Sequence, residues 1–194
     1  MTVEDDGRAR CAWIDQSRLA PADFVLYRDY HDAEWGQPLR ESAALFERIS
    51  LEAFQSGLSW LIILRKRENF RRAFHGFDVQ RIARYTKRDI DRLMADTGIV
   101  RNRAKIEATI ANARAAAELD VDLGELLWSF APPRRPRPVD VSEVPAVTAE
   151  STAMAKELKR RGFRFVGPTT AYALMQATGM VDDHTADCWV RVSR

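Results

Sequence analysis

Two cysteines and two of the three histidines could together bind one metal ion. His184 and Cys188 are four residues apart, and in a helix this spacing places both side chains on one face. Cys11 is the other cysteine, and His31 follows it by twenty residues. These four side chains would complete a tetrahedral Cys2His2 zinc site. The spacing alone equally fits two inert cysteines and two unrelated histidines, whereas a disulfide between the cysteines is disfavoured in a reducing cytoplasm.

The acidic residue Glu52 interrupts the apolar face of a helix predicted over 41–56. It lies seven residues after Leu45 and three after Ile49, in register with the apolar positions. Burying a carboxylate costs several kcal/mol unless the group is paired or hydrogen-bonded. We therefore expect Glu52 either to pair with an arginine in the core or to line a ligand pocket.

Aromatic residues are concentrated between positions 13 and 60, on both sides of Glu52. Any one of them is by default a core residue. Four of them, however, could form a box for a flat, electron-poor ligand. These four are Tyr27, Tyr30, Trp35 and Trp60.

Residues 89–117 predict a helix, a turn centred on Gly98 and a second helix whose first turn is basic. Backbone N–H groups at such a turn and helix start can bind a DNA phosphate. Gly98, Arg101 and Lys105 are therefore candidate DNA contacts. The same pattern also fits an ordinary pair of packed helices that does not bind DNA.

The 194 residues suffice for one domain with its own core. The composition, with 46% hydrophobic and 30% charged residues, excludes a disordered or fibrous chain. The net charge is only +2, but 25 of the 30 cations are arginine. The cations cluster at 65–72, 101–105, 134–137 and 159–164, which indicates local contact with nucleic acid. The alternative is that the excess of arginine only reflects the base composition of the genome. We find neither a membrane span nor a secretory signal, so we expect a cytoplasmic protein.

The hydrophobic pattern is helical almost throughout, and it predicts an all-α protein with no strand. We expect a charged flexible tail over 1–9, one helical domain over 10–190 and an irregular connector, rich in proline and arginine, over 132–145. Helices are expected over 41–56, 59–74, 78–84, 87–96, 102–118, from an N-cap at Ser151 to Arg161, and from Pro168 to a stop at Gly179.

Six sequence blocks, in order and with few gaps, resemble the DNA-3-methyladenine glycosylase I family over about residues 10–190. Their combination is far more specific than any one block. The resemblance implies an all-α helix-hairpin-helix glycosylase with a zinc site that joins the termini, and it implies excision of N3-methyladenine in base excision repair. The blocks are YHDAEWG (30–36), LEAFQSGLSW (51–60), LRKRENFRRAF (64–74), GIVRNRAKI (98–106), LKRRGFRFVG (158–167) and the DDH…C ending (182–188).

The resemblance also assigns roles to residues. It implies one structural Zn²⁺ ion with the ligands Cys11, His31, His184 and Cys188. It implies that the base is bound by Tyr27, Tyr30, Trp35, Glu52 and Trp60. The macromolecular partner would be double-stranded alkylated DNA, and free 3-methyladenine would be the product.

The expected chemistry follows from the substrate. N3-methyladenine in DNA is cationic and already a good leaving group, so the pocket needs recognition and charge stabilisation more than an acid. Aromatic rings favour a cation, and Glu52 would accept a hydrogen bond from the exocyclic amine. Leu58, beside Gly57, is expected to fill the space left by the flipped nucleotide.

We expect a monofunctional enzyme without lyase activity, and a monomer that does not contact membranes. It would be cytoplasmic and associated with the nucleoid when bound to DNA. The alternative is a non-catalytic, zinc-stabilised helix-hairpin-helix module that binds DNA with a dead pocket. The presence of Glu52 together with the four aromatic residues argues against this alternative.

Overall fold

Helices form most of the protein in this computed structural model, which describes residues 2–3 and 6–192. The all-α prediction is confirmed. Single 3-10 turns precede α1 at Gln16–Arg18, follow α3 at His75–Phe77 and follow α7 at Val141–Glu143. The helices are α1 (Pro21–Ala33), α2 (Ser42–Gln55), α3 (Trp60–Ala73), α4 (Val79–Ala83), α5 (Lys87–Ala95), α6 (Arg103–Ala117), α7 (Leu123–Trp128), α8 (Ala149–Arg160) and α9 (Pro168–Ala177).

Two short strands, β1 (Thr2–Val3) and β2 (Ala9–Arg10), pair antiparallel at the start of the chain. The prediction that the chain has no strand is therefore wrong. Part of the tail expected over 1–9 is paired backbone instead. A strand of two residues is too short to produce a recognisable alternation of apolar and polar side chains, which explains why the sequence pattern did not predict it.

Helix α2 is the central element of the core. It packs against α3, α6, α7 and α9, and its buried face includes Leu45, Ile49 and Phe54. Full burial of each such side chain contributes about 1.5–3 kcal/mol relative to exposure. The helix ends before Gly57, whose φ of 78° lies in the left-handed region that favours glycine. Any polar group on this face is therefore held in a rigid, largely water-free setting.

Two helices, α1 and α7, were not predicted, and one predicted boundary is wrong. The start of α1 carries a Pro at its first turn, a signal that the sequence reading did not use. Helix α8 begins three residues before the predicted start, because Thr148 rather than Ser151 is the N-cap. The Thr148 hydroxyl accepts from the Ser151 backbone N–H at 3.2 Å, and Ser151 Oγ accepts from the Thr148 N–H at 2.9 Å. This reciprocal pair forms a capping box.

The connector at 132–145 is irregular as predicted, except for its 3-10 turn, and two of its arginines are ion-paired. Arg135 Nη2 contacts the carboxylate of Asp183 at 2.7 Å, and Arg137 Nε contacts that of Asp182 at 2.8 Å. These pairs attach the connector to the segment that carries His184. The predicted basic cluster at 134–137 therefore has a structural role in part.

Lys105 joins the start of α6 to the end of α2 and is not at the surface. Its ammonium group donates to the backbone oxygens of Phe54 at 2.8 Å and Ser56 at 2.5 Å, and the residue is 7% exposed. These two carbonyls belong to the C-terminal turn of α2, where a cation compensates the helix dipole. The ammonium group of Lys105 is thus occupied by protein carbonyls, which argues against the predicted contact with a DNA phosphate.

Helices α5 and α6 form the predicted pair of packed helices, joined by a turn at 96–102. The turn is held by its own side chains, because the Gly98 N–H donates to Asp96 Oδ1 at 2.7 Å. The Gly98 oxygen accepts from Asn69 Nδ2 at 3.1 Å, which anchors the turn to α3. Arg101 is exposed on the same turn.

In the described part of the chain, none of the helices has both the length and the apolar character needed to cross a bilayer.

Replacing Lys105 tests its structural role. Lys105→Met should lower the free energy of unfolding by about 1.5–3 kcal/mol, the worth of charged hydrogen bonds to two otherwise unpaired carbonyls. Chemical denaturation measures this change, with the exposed Lys159→Met as the control that removes the same charge. The salt dependence of DNA binding should not change. A stable Lys105→Met variant whose salt dependence drops by one phosphate contact would contradict this interpretation.

Candidate functional site

The four predicted metal ligands meet in one buried cluster. Cys11, His31, His184 and Cys188 are all buried, and their ligand atoms lie within 4.8 Å of one another. Cys11 follows β2, His31 belongs to the last turn of α1, and the other two come from the segment after α9. That segment is not helical, so the predicted helical face for His184 and Cys188 is wrong. A turn closed by the Cys188 N–H and the Thr185 oxygen at 2.9 Å brings the pair together instead.

Hydrogen bonds outside the cluster fix which histidine nitrogen faces the sulfurs. His31 Nδ1 donates to Asp32 Oδ1 at 2.8 Å, so the lone pair of Nε2 points at Cys188 Sγ, 3.6 Å away. His184 Nε2 donates to the Trp35 oxygen at 3.1 Å, and a carbonyl can only accept. The lone pair of His184 Nδ1 therefore faces the sulfurs of Cys11 at 3.6 Å and Cys188 at 3.5 Å.

These distances fit a tetrahedral metal ion. With metal–sulfur bonds near 2.3 Å and metal–nitrogen bonds near 2.0–2.1 Å, a tetrahedron has sulfur–nitrogen edges of about 3.5–3.6 Å. Three of the four sulfur–nitrogen distances in the cluster are 3.5, 3.6 and 3.6 Å. Histidines whose second nitrogen is hydrogen-bonded to a carboxylate or a carbonyl are typical of metal sites. The cluster can therefore hold a metal ion through two thiolates and two imidazoles.

The carboxylate of Asp32 connects the cluster to the start of the chain. Arg10 is 1% exposed, and its Nη2 contacts Asp32 Oδ2 at 2.7 Å. The indole N–H of Trp189 donates to Asp32 Oδ1 at 3.3 Å. Because Asp32 in turn accepts from His31, these contacts fix the ring orientation of that histidine. The carboxylate of Asp32 thus connects Arg10, near the start of the chain, with Trp189, near its end.

A cavity of about 240 Å³ lies beside the cluster and brings together the predicted base-binding residues. All five predicted residues line it: Tyr27, Tyr30, Trp35, Glu52 and Trp60. Four further lining residues were not predicted: Trp13, Gln55, Ala173 and Gln176. We call this cavity the aromatic pocket.

The sequence held a signal for two of the four missed residues. Trp13 is one of the clustered aromatic residues, and Gln55 lies three positions after Glu52 on the same helix, where side chains are neighbours. Ala173 and Gln176 belong to α9 and reach the pocket only because α9 packs against α2. That packing has no signature in the residue types themselves.

Two side chains that line the aromatic pocket, Trp13 and Trp35, also contact histidines of the Cys/His cluster. The Trp13 ring lies 5.1 Å from the His31 ring and 5.1 Å from the Trp35 ring, each edge-on. The Trp35 ring lies 4.6 Å from the ring of His184. The close approach also depends on Gly36, where a Cβ would meet His184 Nε2 at 2.9 Å and where φ is 81°. The cluster therefore supports one side of the pocket.

Glu52 lines the pocket and does not form a core ion pair. The residue is 5% exposed, and within the described residues its carboxylate has no hydrogen bond and no cation within 4.0 Å. Burial raises the pKa of Glu52 to about 7, while the charge of Arg48 acts in the opposite direction. Of the two alternatives for this residue, the structure thus favours the pocket. A carboxylate poised near neutral pH can become fully ionised when a cation binds beside it.

The polar groups of Tyr30 and Trp60 complete the pocket. The two rings lie 5.3 Å apart, and the Tyr30 hydroxyl accepts from Arg48 Nη1 at 3.1 Å. The indole N–H of Trp60 is buried and has no partner among the described residues. An unpaired donor and an unpaired carboxylate in one cavity indicate a site for a polar, flat ligand.

The candidate DNA contacts lie on separate exposed turns. Leu58, 37% exposed, is on the turn that follows Gly57 at the end of α2. Arg101 is exposed on the turn before α6, whereas the buried Lys105 is not available. The predicted basic cluster at 65–72 is largely neutralised by ion pairs. These join Arg65 to Asp23, Arg67 to Glu34, and Arg71 to Glu47 and Glu68.

Comparison with known proteins agrees with this site. The profile of the Methyladenine glycosylase family matches residues 21–192. The chain is 43% identical over 192 residues to DNA-3-methyladenine glycosylase of Haemophilus influenzae, covering 95% of this chain and 98% of that protein. It is 44% identical over 184 residues to DNA-3-methyladenine glycosylase 1 of Escherichia coli, covering 92% and 95%.

Solved structures give the same result. The fold is similar to a crystal structure of 3-methyladenine DNA glycosylase I with a TM-score of 0.87 and 45% identity, covering 93% of this chain and 98% of that one. A structure of the Staphylococcus aureus enzyme, which concerns 3-methyladenine recognition, has a TM-score of 0.85 at 36% identity, covering 93% and 95%. Sequence profile, relatives and fold agree over nearly the whole length, and the chain belongs to the methyladenine glycosylase family.

Proposed function

We propose that this protein is a DNA glycosylase that flips N3-methyladenine out of alkylated DNA and hydrolyses its bond to the deoxyribose. This is the first step of base excision repair. The single observation that carries the proposal is the aromatic pocket, in which a buried carboxylate without a protein partner faces tyrosine and tryptophan rings. Family membership supports it, because relatives at 43–44% identity carry this name.

The pocket suits a cationic base better than neutral adenine. Methylation at N3 places a positive charge on the base, and each aromatic face attracts a cation by about 0.5–2 kcal/mol. Glu52 adds an acceptor for the exocyclic amine and a negative charge. The same charge stabilises the oxocarbenium-like sugar that develops as the bond to the base breaks. Neutral adenine obtains neither benefit and is a much poorer leaving group.

The proposed reaction is hydrolysis without a lyase step. A lyase step requires an amine that attacks C1′ of the sugar, and none of the residues that line the aromatic pocket is a lysine. Lys105, the nearest in sequence to the hairpin turn, has its amine bound to two carbonyls. Water is therefore the proposed nucleophile.

We assign one structural Zn²⁺ ion to Cys11, His31, His184 and Cys188. The ion would supply four bonds that hold the two ends of the chain together. Because all four positions of a tetrahedral ion are taken by protein atoms, none is left for a catalytic water. The support for zinc is the pair of thiolates, the fixed histidine tautomers and the sulfur–nitrogen distances described above.

DNA contact is proposed on the side of the molecule that bears Leu58 and Arg101. Leu58 is an exposed leucine at a tight turn, and an apolar side chain of this kind can fill the space of a flipped nucleotide in a duplex. Arg101 and the hairpin turn would contact phosphate, which gives affinity without sequence preference. We propose that the enzyme acts as a monomer on double-stranded DNA and works in the cytoplasm at the nucleoid.

The first test is release of free base from methylated double-stranded DNA. Wild-type protein should release 3-methyladenine, and Glu52→Gln should reduce the rate roughly 10²-fold, the size of losing one preorganised electrostatic group. Glu125→Gln, an exposed glutamate of α7, is the matched control and should retain full activity. A wild-type protein that binds methylated DNA without releasing base would instead identify a non-catalytic binding module.

The pH dependence of stability gives an independent test of the buried carboxylate. The folded pKa of Glu52 is about 7, above its ordinary value of 4.5, so the folded state prefers the protonated form. Ionisation therefore costs stability increasingly between pH 4.5 and 7, and the full cost of about 3 kcal/mol is present above pH 7. Glu52→Gln should be more stable than wild type at pH 8 and equally stable at pH 4. Urea denaturation at both pH values measures this, and a Gln variant that is less stable at pH 8 would identify a structural ion pair.

Metal content tests the zinc assignment. Protein purified without chelator should contain about one zinc per chain, and Cys11→Ser should lose it together with several kcal/mol of stability. His75→Gln is the control, because His75 is the histidine outside the cluster. Zinc content below about 0.2 per chain in wild type, or a Cys11→Ser variant with unchanged zinc and melting temperature, would contradict the assignment.

A further inference from the structure

A buried arginine stands directly behind the aromatic pocket without lining it. Arg48 lies on α2, four residues before Glu52, and is 8% exposed. Its guanidinium carbon is 5.3 Å from the ring centres of both Tyr30 and Trp60. Burying a guanidinium is costly unless its charge and its N–H groups are used. The neighbours of Arg48 therefore indicate what the residue does.

Neutralising an acidic partner does not by itself explain Arg48. Glu34 is its one ionised hydrogen-bond partner among the described residues, with Nη2 to Oε2 at 3.5 Å. Glu34 already forms a bidentate pair with Arg67, at 2.5 and 2.8 Å. The better hydrogen bond of Arg48 is the one to the Tyr30 hydroxyl, at 3.1 Å.

This hydrogen bond has only one possible direction. A guanidinium group donates and cannot accept, so the Tyr30 oxygen must be the acceptor. A phenol is neutral at physiological pH, so Tyr30 also keeps its own proton. None of the described residues accepts that proton, and Tyr30 lines the pocket. The Tyr30 O–H is thus a donor left for the bound base.

Tyr30 and Glu52 thus add a donor and an acceptor to the pocket, besides the Trp60 N–H. The major-groove edge of adenine carries the matching pair, an acceptor at N7 and a donor at the exocyclic amine. Without Arg48, the Tyr30 proton could rotate away and the oxygen could face the base with a lone pair. The arginine removes that alternative.

The charge of Arg48 acts on Glu52 as well. The ionisable groups that face Glu52 from other elements are Tyr27 and Tyr30 of α1, and both are neutral phenols. The pocket residues of α3 and α9, Trp60 and Gln176, carry no charge. Arg48 is therefore the cation that favours ionisation of this carboxylate.

We propose that Arg48 is a positioning residue for base excision: it directs the Tyr30 proton into the pocket and favours the ionised form of Glu52. The inference rests on the proposed glycosylase function. Arg48 does not touch the base. It acts through two residues that do.

The experiment is the pH profile of single-turnover excision of 3-methyladenine from duplex DNA. In Arg48→Met the acid limb, which reports ionisation of Glu52, should move to higher pH by roughly one unit, because a neighbouring cation is lost. On the plateau at high pH, where Glu52 is ionised in both proteins, the rate should still fall roughly five- to tenfold through the loss of one oriented hydrogen bond. Arg71→Met is the matched control, since Arg71 pairs with Glu47 on the same helix as Arg48 and does not line the pocket. Its profile should equal that of wild type.

Two further variants separate charge from orientation and guard against misfolding. Arg48→Lys keeps the cation, so its acid limb should stay near that of wild type even where the plateau falls. In a Tyr30→Phe background there is no hydroxyl to direct, so Arg48→Met should cause no further plateau loss. If Arg48→Met does not fold, Arg48→Leu, which also lacks the charge and the N–H donors, replaces it in the Tyr30 and Phe backgrounds.

An unmoved acid limb together with additive plateau losses would overturn the inference and leave Arg48 as a structural residue. That result is distinct from failure of the proposed function. If wild type releases no 3-methyladenine at any pH, the glycosylase proposal fails, and this inference fails with it.

Discussion

Desolvation of one carboxylate is the constraint on which the rest of the site depends. Glu52 sits on α2, where nine of 14 residues are buried, so an anion is unfavourable, and none of the described residues gives it a compensating hydrogen bond. Burial raises the pKa of Glu52 to about 7, so ionising this carboxyl group lowers the stability of the fold by only a few kcal/mol. A ligand that brings its own positive charge removes that cost. The pocket is thereby biased toward a cation before any shape complementarity is considered.

The cluster of two cysteines and two histidines supports the pocket that keeps Glu52 away from water. A carboxylate stays desolvated only when the walls around it are rigid, and two of those walls, Trp13 and Trp35, contact the rings of the cluster histidines. The residues involved come from both ends of the chain, which would otherwise fray. The Asp32 network holds these ends together, and the proposed metal ion would add four ligand bonds. Stability and the proposed base selectivity would thus be coupled through shared aromatic side chains.

Much of the fold and of the site could be predicted from the sequence, and the errors have physical causes. Helix α2 was predicted within one residue at each end, because its apolar period is strong and Gly57 ends it. Glu52 was singled out because a charge on an apolar face is costly. The errors concern tertiary context. His184 and Cys188 meet through a turn rather than a helix, and no local pattern distinguishes the two.

Lys105 is a second case in which the local sequence pattern did not reveal the tertiary contacts of a side chain. A lysine in the basic first turn of a helix after a glycine turn is typical of a phosphate contact, and only the packing of α6 on α2 reveals that its amine is occupied. In a surface position the charge would favour DNA, whereas in this position it completes the end of α2. Charge counting along a sequence cannot separate these cases, because both satisfy the local pattern equally well.

The hydrogen bonds of Lys105 connect the two turns that carry the proposed DNA contacts. The carbonyl of Ser56 accepts from Lys105 directly before the turn that carries Leu58, and Lys105 itself lies four residues after Arg101. The turn at the end of α2 and the turn before α6 are therefore parts of one hydrogen-bonded unit. A phosphate contact near Arg101 would fix the position of Leu58 relative to the duplex. If Leu58 enters the base stack as proposed, the hydrogen bond between Lys105 and Ser56 would fix its position relative to the hairpin turn.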